Sequence, residues 1–367
     1  MALPSPRDPD ELRGTLATWL SSRVGEPVEV TSAGGPPTTG FSNETILADA
    51  AWGGEEHRLV VRVQPTTHTV FPNDLFEAQH RVMSALGGGA EPGLEVPTLR
   101  WYEDDASVLG APFMVMDRVD GEAPCDSPPY TTEGWLMEGG EDLQRAVWNR
   151  GLDAMAAVHA VDWKGLGLGD LDPCPEGGSR LGARVDAWAD FLAWCSPDAR
   201  QEVPELALAW LRENQPPDID EPALCWGDSR IGNQLFAGRE SADTVHVAAV
   251  LDWEMVHVGD PVQDLGWFTW LDHTMSAGLE LPRLPGLPSY EETAARWEAA
   301  TGRSAEHHRW AEINAGVGFA IVMVRLTALL EDSELFPHDS DFERTNMACV
   351  ALERALAAMD VHPSDLS

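Results

Sequence analysis

Lysine is nearly missing. Lys164 is the one lysine in 367 residues, and the other 23 basic side chains are arginines, so any task that calls for a cation elsewhere falls to arginine. Positive charge as a whole is scarce: 24 basic residues face 61 acidic ones, for a formal charge of −37. Such a surface repels DNA, RNA and anionic lipid, and neither nucleic acid nor a membrane is an expected partner. The acidity reads either as a solvated face or as attraction for a cationic small molecule. Cysteine is sparse as well. Cys125, Cys174, Cys195, Cys225 and Cys349 are scattered, odd in number and free of CxxC spacing, which argues against a disulfide framework and a zinc site. The beginning, MALPSPRDPDELRG, has no basic region followed by an apolar run. The most apolar later stretch, Ala315 to Leu330, contains Arg325 and falls short of about 18 to 20 uninterrupted apolar residues. The expectation is a soluble, cytoplasmic protein.

What is present suits a packed core: 43% hydrophobic residues, 23% charged residues and 15 tryptophans. The length exceeds one ordinary domain and predicts two lobes. A first helix is predicted over Pro9–Val24, with Asp8 as cap, Glu11 at the capping-box position, and Leu12, Leu16, Trp19 and Leu20 on one face. β-like runs follow at 27–31, 45–49 and 59–63, then a helix from about Asn73 to Leu86 ended by Gly87-Gly88-Gly89, then strands at 99–102 and 113–119. Five strands and one inserted helix make a small antiparallel lobe, 1–119. Beyond Asp120-Gly121 the pattern turns mainly helical, at 142–160, 184–194, 204–213, 289–301, 306–331 and 341–358. Two β-like runs, 223–236 and 245–253, interrupt this second lobe, 120–367, and each leads into a polar cluster.

The first cluster is CysTrpGlyAspSerArgIleGlyAsnGlnLeuPhe, 225–236; by residue types alone it also fits an ordinary turn. The second, ValLeuAspTrpGluMetValHisValGlyAspProValGlnAspLeuGlyTrp, 250–267, places Asp252 at the end of an apolar run. Upstream, AlaGlyGlyProProThrThrGlyPheSerAsnGluThr, 33–45, is a glycine-rich link between β runs; its glycines allow close backbone approach, and Ser42, Asn43 and Thr45 supply donors. His307-His308 lacks the HExxH spacing of a zinc site.

The first two segments, in this order and β context, resemble the HisGlyAsp-x4-Asn catalytic loop and the following metal-binding segment of the aminoglycoside phosphotransferases and the broader choline-kinase-like group. The resemblance spans roughly residues 30 to 270. It implies an α+β, protein-kinase-like two-lobe fold and transfer of the γ-phosphoryl group of ATP or GTP to a hydroxyl of an aminoglycoside-like or other hydroxylated metabolite. Phosphoryl transfer needs a carboxylate near the attacking hydroxyl and oxygen ligands for Mg²⁺. Asp228 is the implied base, and Asn233 and Asp252 the implied metal ligands. Asp260 and Asp264 match supporting aspartates of the family, and His159 a packed structural histidine. Trp226 stands where the family has His, so the usual brace of the loop is replaced by an aromatic one. Arg62 stands where most kinases carry a phosphate-binding lysine; arginine stays charged and binds phosphate bidentately, and Glu77 is its expected partner. The 112–121 run resembles the lobe linker, with Asp117 and Val119 toward the base and Met116 lining its pocket. Arg62 and the GlyAlaProPheMetValMetAspArgValAspGly run, 110–121, are closest to the branch that includes kinase-like domains fused to acyl-CoA dehydrogenases. A hydroxyacyl thioester is therefore a further acceptor. Glu138, Glu141, Asp142 and Asp272 could attract an amine-bearing acceptor such as an aminosugar, although acidic residues are spread throughout the chain. Trp226 and the missing strand lysine leave two alternatives: a pseudokinase, or an enzyme moving the nucleotidyl group.

Overall fold

In the computed structural model, helix α1 (Pro9–Val24) begins where its cap dictates: the Asp8 carboxylate accepts from the Asp10 and Glu11 amides. It ends at Gly25, whose φ of 83° suits glycine. The structure describes residues 7–35, 43–66, 69–73, 75–174, 176–337 and 341–362. The N-lobe continues with β1 (Glu29–Gly34), β2 (Glu44–Trp52), β3 (Glu55–Val63), α2 (Phe76–Leu86), β4 (Leu99–Glu103), the single-turn α3 (Ala106–Leu109) and β5 (Phe113–Asp117). The strands form one antiparallel sheet in the order β1-β2-β3-β5-β4. Gly53 and Gly54, both at positive φ, make the tight β2–β3 turn. Side chains alternate across β3. Leu59, Val61 and Val63 pack with the buried face of α1, whereas Val60 joins Met114, Met116 and α2 on the other face. Arg62 lies opposite Met114 in the register, which sends it to that second face, above the C-lobe.

The C-lobe comprises α4 (Trp135–Glu138), α5 (Gly140–His159), α6 (Arg180–Cys195), α7 (Glu202–Glu213), the short strands β6 (Ala223–Cys225), β7 (Gln234–Ala237), β8 (His246–Val250) and β9 (His257–Gly259), then α8 (Val262–Met275), α9 (Tyr290–Thr301), α10 (His308–Asp332), α11 (Phe342–Thr345) and α12 (Met347–Ala357). The strands pair as β6-β9 and β7-β8. α10 is the spine, packed by α6, α7, α8 and α12. By length and composition it is apolar enough to cross a membrane, but much of that apolar surface lies in the lobe core. A Cβ at Gly318 would stand 2.5 Å from Trp188, so only glycine lets α6 approach so closely.

The structure departs from the sequence expectations at several elements, among them the β-like run 223–236, which is split into β6 and β7. α8 was not expected: thirteen of its fourteen residues are buried, and a helix buried on all sides carries no amphipathic period. The helix expected over 341–358 is divided, because the Asn346 side chain caps a new start at Met347. The strand expected to reach residue 119 ends at Asp117, and the helix expected from Asn73 begins at Phe76.

Candidate active site

The loop between β6 and β7 is held from below by one buried carboxylate. Asp264, in the first turn of α8, accepts from the Trp226 amide at 2.7 Å and the Gly227 amide at 2.9 Å, and its carbonyl accepts from Ser229 Oγ at 2.7 Å. His159 Nε2 lies 2.9 Å from Asp264 Oδ2, and Trp297 Nε1 lies 3.2 Å from His159 Nδ1. The indole N–H can only donate, so His159 Nδ1 accepts and Nε2 carries the proton given to Asp264. Burial raises the Asp264 pKa, but the His159 hydrogen bond, His159 and His257 and the Gly227 amide outweigh it and leave the carboxyl below its ordinary value. Asp260, which accepts from the Val262 amide at 3.1 Å, is raised by burial instead. Gly227 has no substitute: φ is 94°, and a Cβ would meet the Met255 carbonyl oxygen at 2.3 Å.

Trp226 is buried and does the bracing from within the loop. Its indole Nε1 donates to the carbonyls of Leu251, at 2.8 Å, and Asp252, at 3.1 Å. Asp252 needs such support, because it sits just beyond β8 at φ 60°, a left-handed conformation that costs a non-glycine residue about 1–3 kcal/mol. The Leu251 amide also donates to the Asn233 carbonyl at 2.9 Å. These bonds bring the two motifs side by side.

Asp228 points into the junction. Its Oδ1 accepts from Trp267 Nε1 at 2.7 Å, its Oδ2 from Asn233 Nδ2 at 2.7 Å, and both lie 3.2–3.3 Å from Arg230 Nε. Asn233 Nδ2 also donates to the Asp228 carbonyl at 3.0 Å, which commits its nitrogen and leaves Oδ1 as a ligand oxygen. Across the cleft Arg62 Nη2 lies 3.5 Å from Asp252 Oδ1, and Arg62 Nε is buried with no acceptor among the described residues. Asn43 Nδ2 stands 3.4 Å from Glu254 Oε2, a second contact between the N-lobe and the Asp252 segment.

The remaining predicted residues are less tightly gathered. Thr45 pairs with Arg62 in the β2–β3 ladder, and Ser42 lies outside the described residues. Glu77 is exposed in the first turn of α2, and its charge acts on His80 and Arg81. Among the described residues Arg62 forms its ion pair with Asp252 rather than Glu77, because Phe76, and not Glu77, occupies the inward face of α2. Met116 is buried beneath the sheet. The Asp117 amide is taken by the Thr98 carbonyl and its carboxylate by Arg100. Val119 is half-buried. Lys164 lies over the Trp163 ring, far along the chain from the cleft strands.

Sequence reasoning missed Arg230, Asp126 and the direct bond from Trp267 to Asp228. Arg230 and Trp267 were inside the quoted motifs, and nothing in their spacing showed which way they point. Asp126 carried no signal at all. Asp272, one of the second-lobe acids expected to attract an amine-bearing acceptor, is not open to one. It is buried, and its oxygens are taken by Tyr130, Tyr290 and Arg283 at 2.6, 3.0 and 2.5 Å. Burial and Asp272 push the Tyr130 hydroxyl pKa up.

An antiparallel small lobe over a helical lobe, with an Asp-x4-Asn loop beside a strand-terminal Asp, defines the kinase-like phosphotransferase class. The chain belongs to the Phosphotransferase enzyme family (APH), whose family model matches residues 35–312, beyond the span of about 30 to 270 that the motifs implied. It is 31% identical over 235 residues to acyl-CoA dehydrogenase family member 11 of Gallus gallus, covering 63% of this chain and 27% of that protein. To member 10 of Mus musculus it is 26% identical over 268 residues, covering 73% and 22%. The chain thus spans about a quarter of the length of these relatives, and they bear out the branch resemblance. A crystal structure from Ralstonia eutropha JMP134, provisionally described as an aminoglycoside phosphotransferase, superposes with a TM-score of 0.67 at 22% identity over 94% of this chain and 98% of that one. Aminoglycoside phosphotransferase APH(4)-Ia, solved as a thermostable mutant with AMP-PNP and hygromycin B, gives 0.58 at 16% identity over 94% and 99%. These likenesses establish the fold.

Proposed function

We propose that this chain is a small-molecule kinase that transfers the γ-phosphoryl group of ATP or GTP to a hydroxyl of a hydroxylated metabolite. The N-lobe, 1–119, would hold the nucleotide, and the C-lobe, 120–367, the chemistry and the acceptor. The observation that carries the reading is the convergence of Asp228, Asn233 and Asp252 through the Leu251–Asn233 and Asn233–Asp228 bonds. The donor set fits Mg²⁺, which is held by one or two protein oxygens plus nucleotide phosphates rather than by a full protein cage. Asn233 Oδ1 and the Asp252 carboxylate would hold it. When bound, the ion offsets the negative charge of the phosphate oxygens. Arg62, with its buried unpaired Nε, turns from Asp252 to those phosphates. The acceptor hydroxyl oxygen attacks the γ-phosphorus in line, its proton passes to Asp228, and the bond from the γ-phosphorus to the bridging oxygen breaks with its electron pair leaving on the nucleoside diphosphate.

The sequestered state of Asp272 removes one of the four acids that favoured a cationic acceptor, while Glu138, Glu141 and Asp142 are exposed like much of the acidic surface. This supports a neutral hydroxyl compound or a hydroxyacyl thioester over an aminoglycoside. The bracing by Trp226 speaks for a working loop rather than a pseudokinase. Thermal unfolding with ATP or GTP, with magnesium or chelator, tests the reading. Nucleotide at about 100 times its Kd stabilises by roughly 2.7 kcal/mol, a shift of a few degrees. The expected shift requires magnesium and is lost in Asp252→Asn; no shift with either nucleotide removes the kinase assignment.

A further inference from the structure

The Asp228 carboxylate already receives three N–H donors, one of them shared between its two oxygens. An ionised carboxylate offers about four lone-pair sites. In this structure Oδ1 receives Trp267 Nε1 and Arg230 Nε, and Oδ2 receives Asn233 Nδ2 and Arg230 Nε. A hydroxyl that is to give its proton to Asp228 competes with these donors for the carboxylate oxygens. The two 2.7 Å bonds come from Trp267 on a buried helix and from Asn233 in the loop itself. The Arg230 contacts, at 3.2 and 3.3 Å, are longer than the usual N–H···O distance of about 2.9–3.0 Å and are shared by a single N–H. They are the ones that yield.

Arg230 is also held from its other end. Its Nη1 is hydrogen-bonded to Asp126 Oδ2, and Asp126 is anchored independently of the loop. It lies on the tight segment closed by the Tyr130 amide on the Cys125 carbonyl at 2.7 Å, and Tyr130 in turn is tied to buried Asp272. Gly232 leaves the space for this pair: its φ is not positive, yet a Cβ there would come within 2.8 Å of Asp126 Oδ1 and 2.9 Å of Arg230 Nη1. Asp228, Asp126 and Asp252 together hold the Arg230 guanidinium charged against the lowering effect of its burial.

We propose that Arg230 is a movable cap on Asp228. With no acceptor bound its Nε screens the carboxylate from water, and when an acceptor hydroxyl arrives Nε lets go of Asp228 while Nη1 stays on Asp126, so that nucleotide is spared from hydrolysis. The inference rests on the kinase reading and makes Arg230 a positioning residue acting through Asp228. The reaction held back is attack of a water oxygen on the γ-phosphorus. The water proton would go to Asp228, and the electron pair of the broken bridging bond would leave on the diphosphate.

The experiment is phosphate release from Mg-ATP by the full chain without acceptor. Arg230→Gln is expected to hydrolyse about tenfold faster than wild type, as when one charged hydrogen bond no longer has to break before water is admitted. Its nucleotide-induced thermal shift stays unchanged. Arg230→Lys, which keeps charge without the fork, falls between the two and stands in if the glutamine variant does not fold. Asp126→Asn, which weakens the anchor that holds Arg230 once its Nε lets go, hydrolyses no faster than wild type. Adding Asp228→Asn to Arg230→Gln abolishes the gain. A glutamine variant no faster than wild type while still binding nucleotide overturns the cap, as does a gain that survives loss of Asp228. Absence of any magnesium-dependent thermal shift in wild type would instead count against the kinase reading.

Discussion

Asp228 gathers three donors, two from its own loop and one from a distant helix. Asn233 is five residues away in the same loop, Arg230 is two, and Trp267 arrives from α8. A carboxylate so oriented suits the base proposed above, and removing a general base costs about 10² to 10⁴ in rate. Asp228→Asn is therefore expected to keep magnesium-dependent nucleotide binding and to lose acceptor phosphorylation by that factor, measured as labelled-phosphate incorporation across a panel of hydroxyl compounds. Turnover equal to wild type would remove Asp228 from the chemistry. The motif letters alone made Asp228, Asn233 and Asp252 candidates, because their spacing is set along the chain. Trp226 was readable only as a missing histidine; its use as a donor to the Leu251 and Asp252 carbonyls depends on β8 lying next to the loop.

At the scale of elements, α1 is docked on the sheet by more than its apolar stripe. Trp19 Nε1 donates to Glu103 Oε2 at 2.6 Å, Arg23 pairs with the same carboxylate, and the Asp105 amide reaches Glu103 Oε1 at 3.1 Å. The Trp19 hydrogen bond, with help from Arg23 and the Asp105 amide, lowers the Glu103 pKa from 4.5 to about 2 against the opposing effect of burial. A depressed carboxyl stabilises the fold above its unfolded pKa and loses that contribution as pH falls through the folded value. The melting temperature of wild type should therefore exceed that of Glu103→Gln by a constant amount above about pH 5. The gap should narrow between pH 4.5 and pH 2; a gap that does not change with pH would mean that Glu103 contributes no charged contact. The α1 stripe and its cap were legible in the sequence because both are local. α8 was not: its buried faces meet α10 on one side and the β6–β7 loop on the other, and such a helix leaves no period to read.

For the molecule as a whole, the charge of −37 is a standing cost, since self-repulsion disfavours the compact state. Its basic residues are mostly spent in local pairs such as Arg7–Glu44 and Arg180–Asp172. Raising ionic strength from 0.01 to 0.15 M shortens the Debye length from about 30 to about 8 Å, which screens long-range repulsion more than it weakens these contacts. The melting temperature should therefore rise with salt, as followed by calorimetry at fixed pH; a fall would show that the pairs outweigh the net charge. The lobes also touch away from the cleft, where Arg325 Nε donates to the Thr69 carbonyl at 3.0 Å and Phe71 packs on Phe191.

The chain by itself determined what depends on near neighbours: the capped first helix, the alternating strands of the N-lobe, the two carboxylate motifs and the family they resemble. It also determined that any cation in the cleft would be arginine, because no lysine is at hand. Only tertiary structure decided the partners. It set Arg62 against Asp252 rather than Glu77, buried Asp272 under two tyrosines and an arginine, placed Asp264 and His159 beneath the loop, and brought Asp126 to Arg230 across 104 residues of chain. The reason is physical. Spacing along a helix, strand or turn fixes directions over a few residues, whereas the partner of a buried charge depends on which distant elements the hydrophobic core draws together.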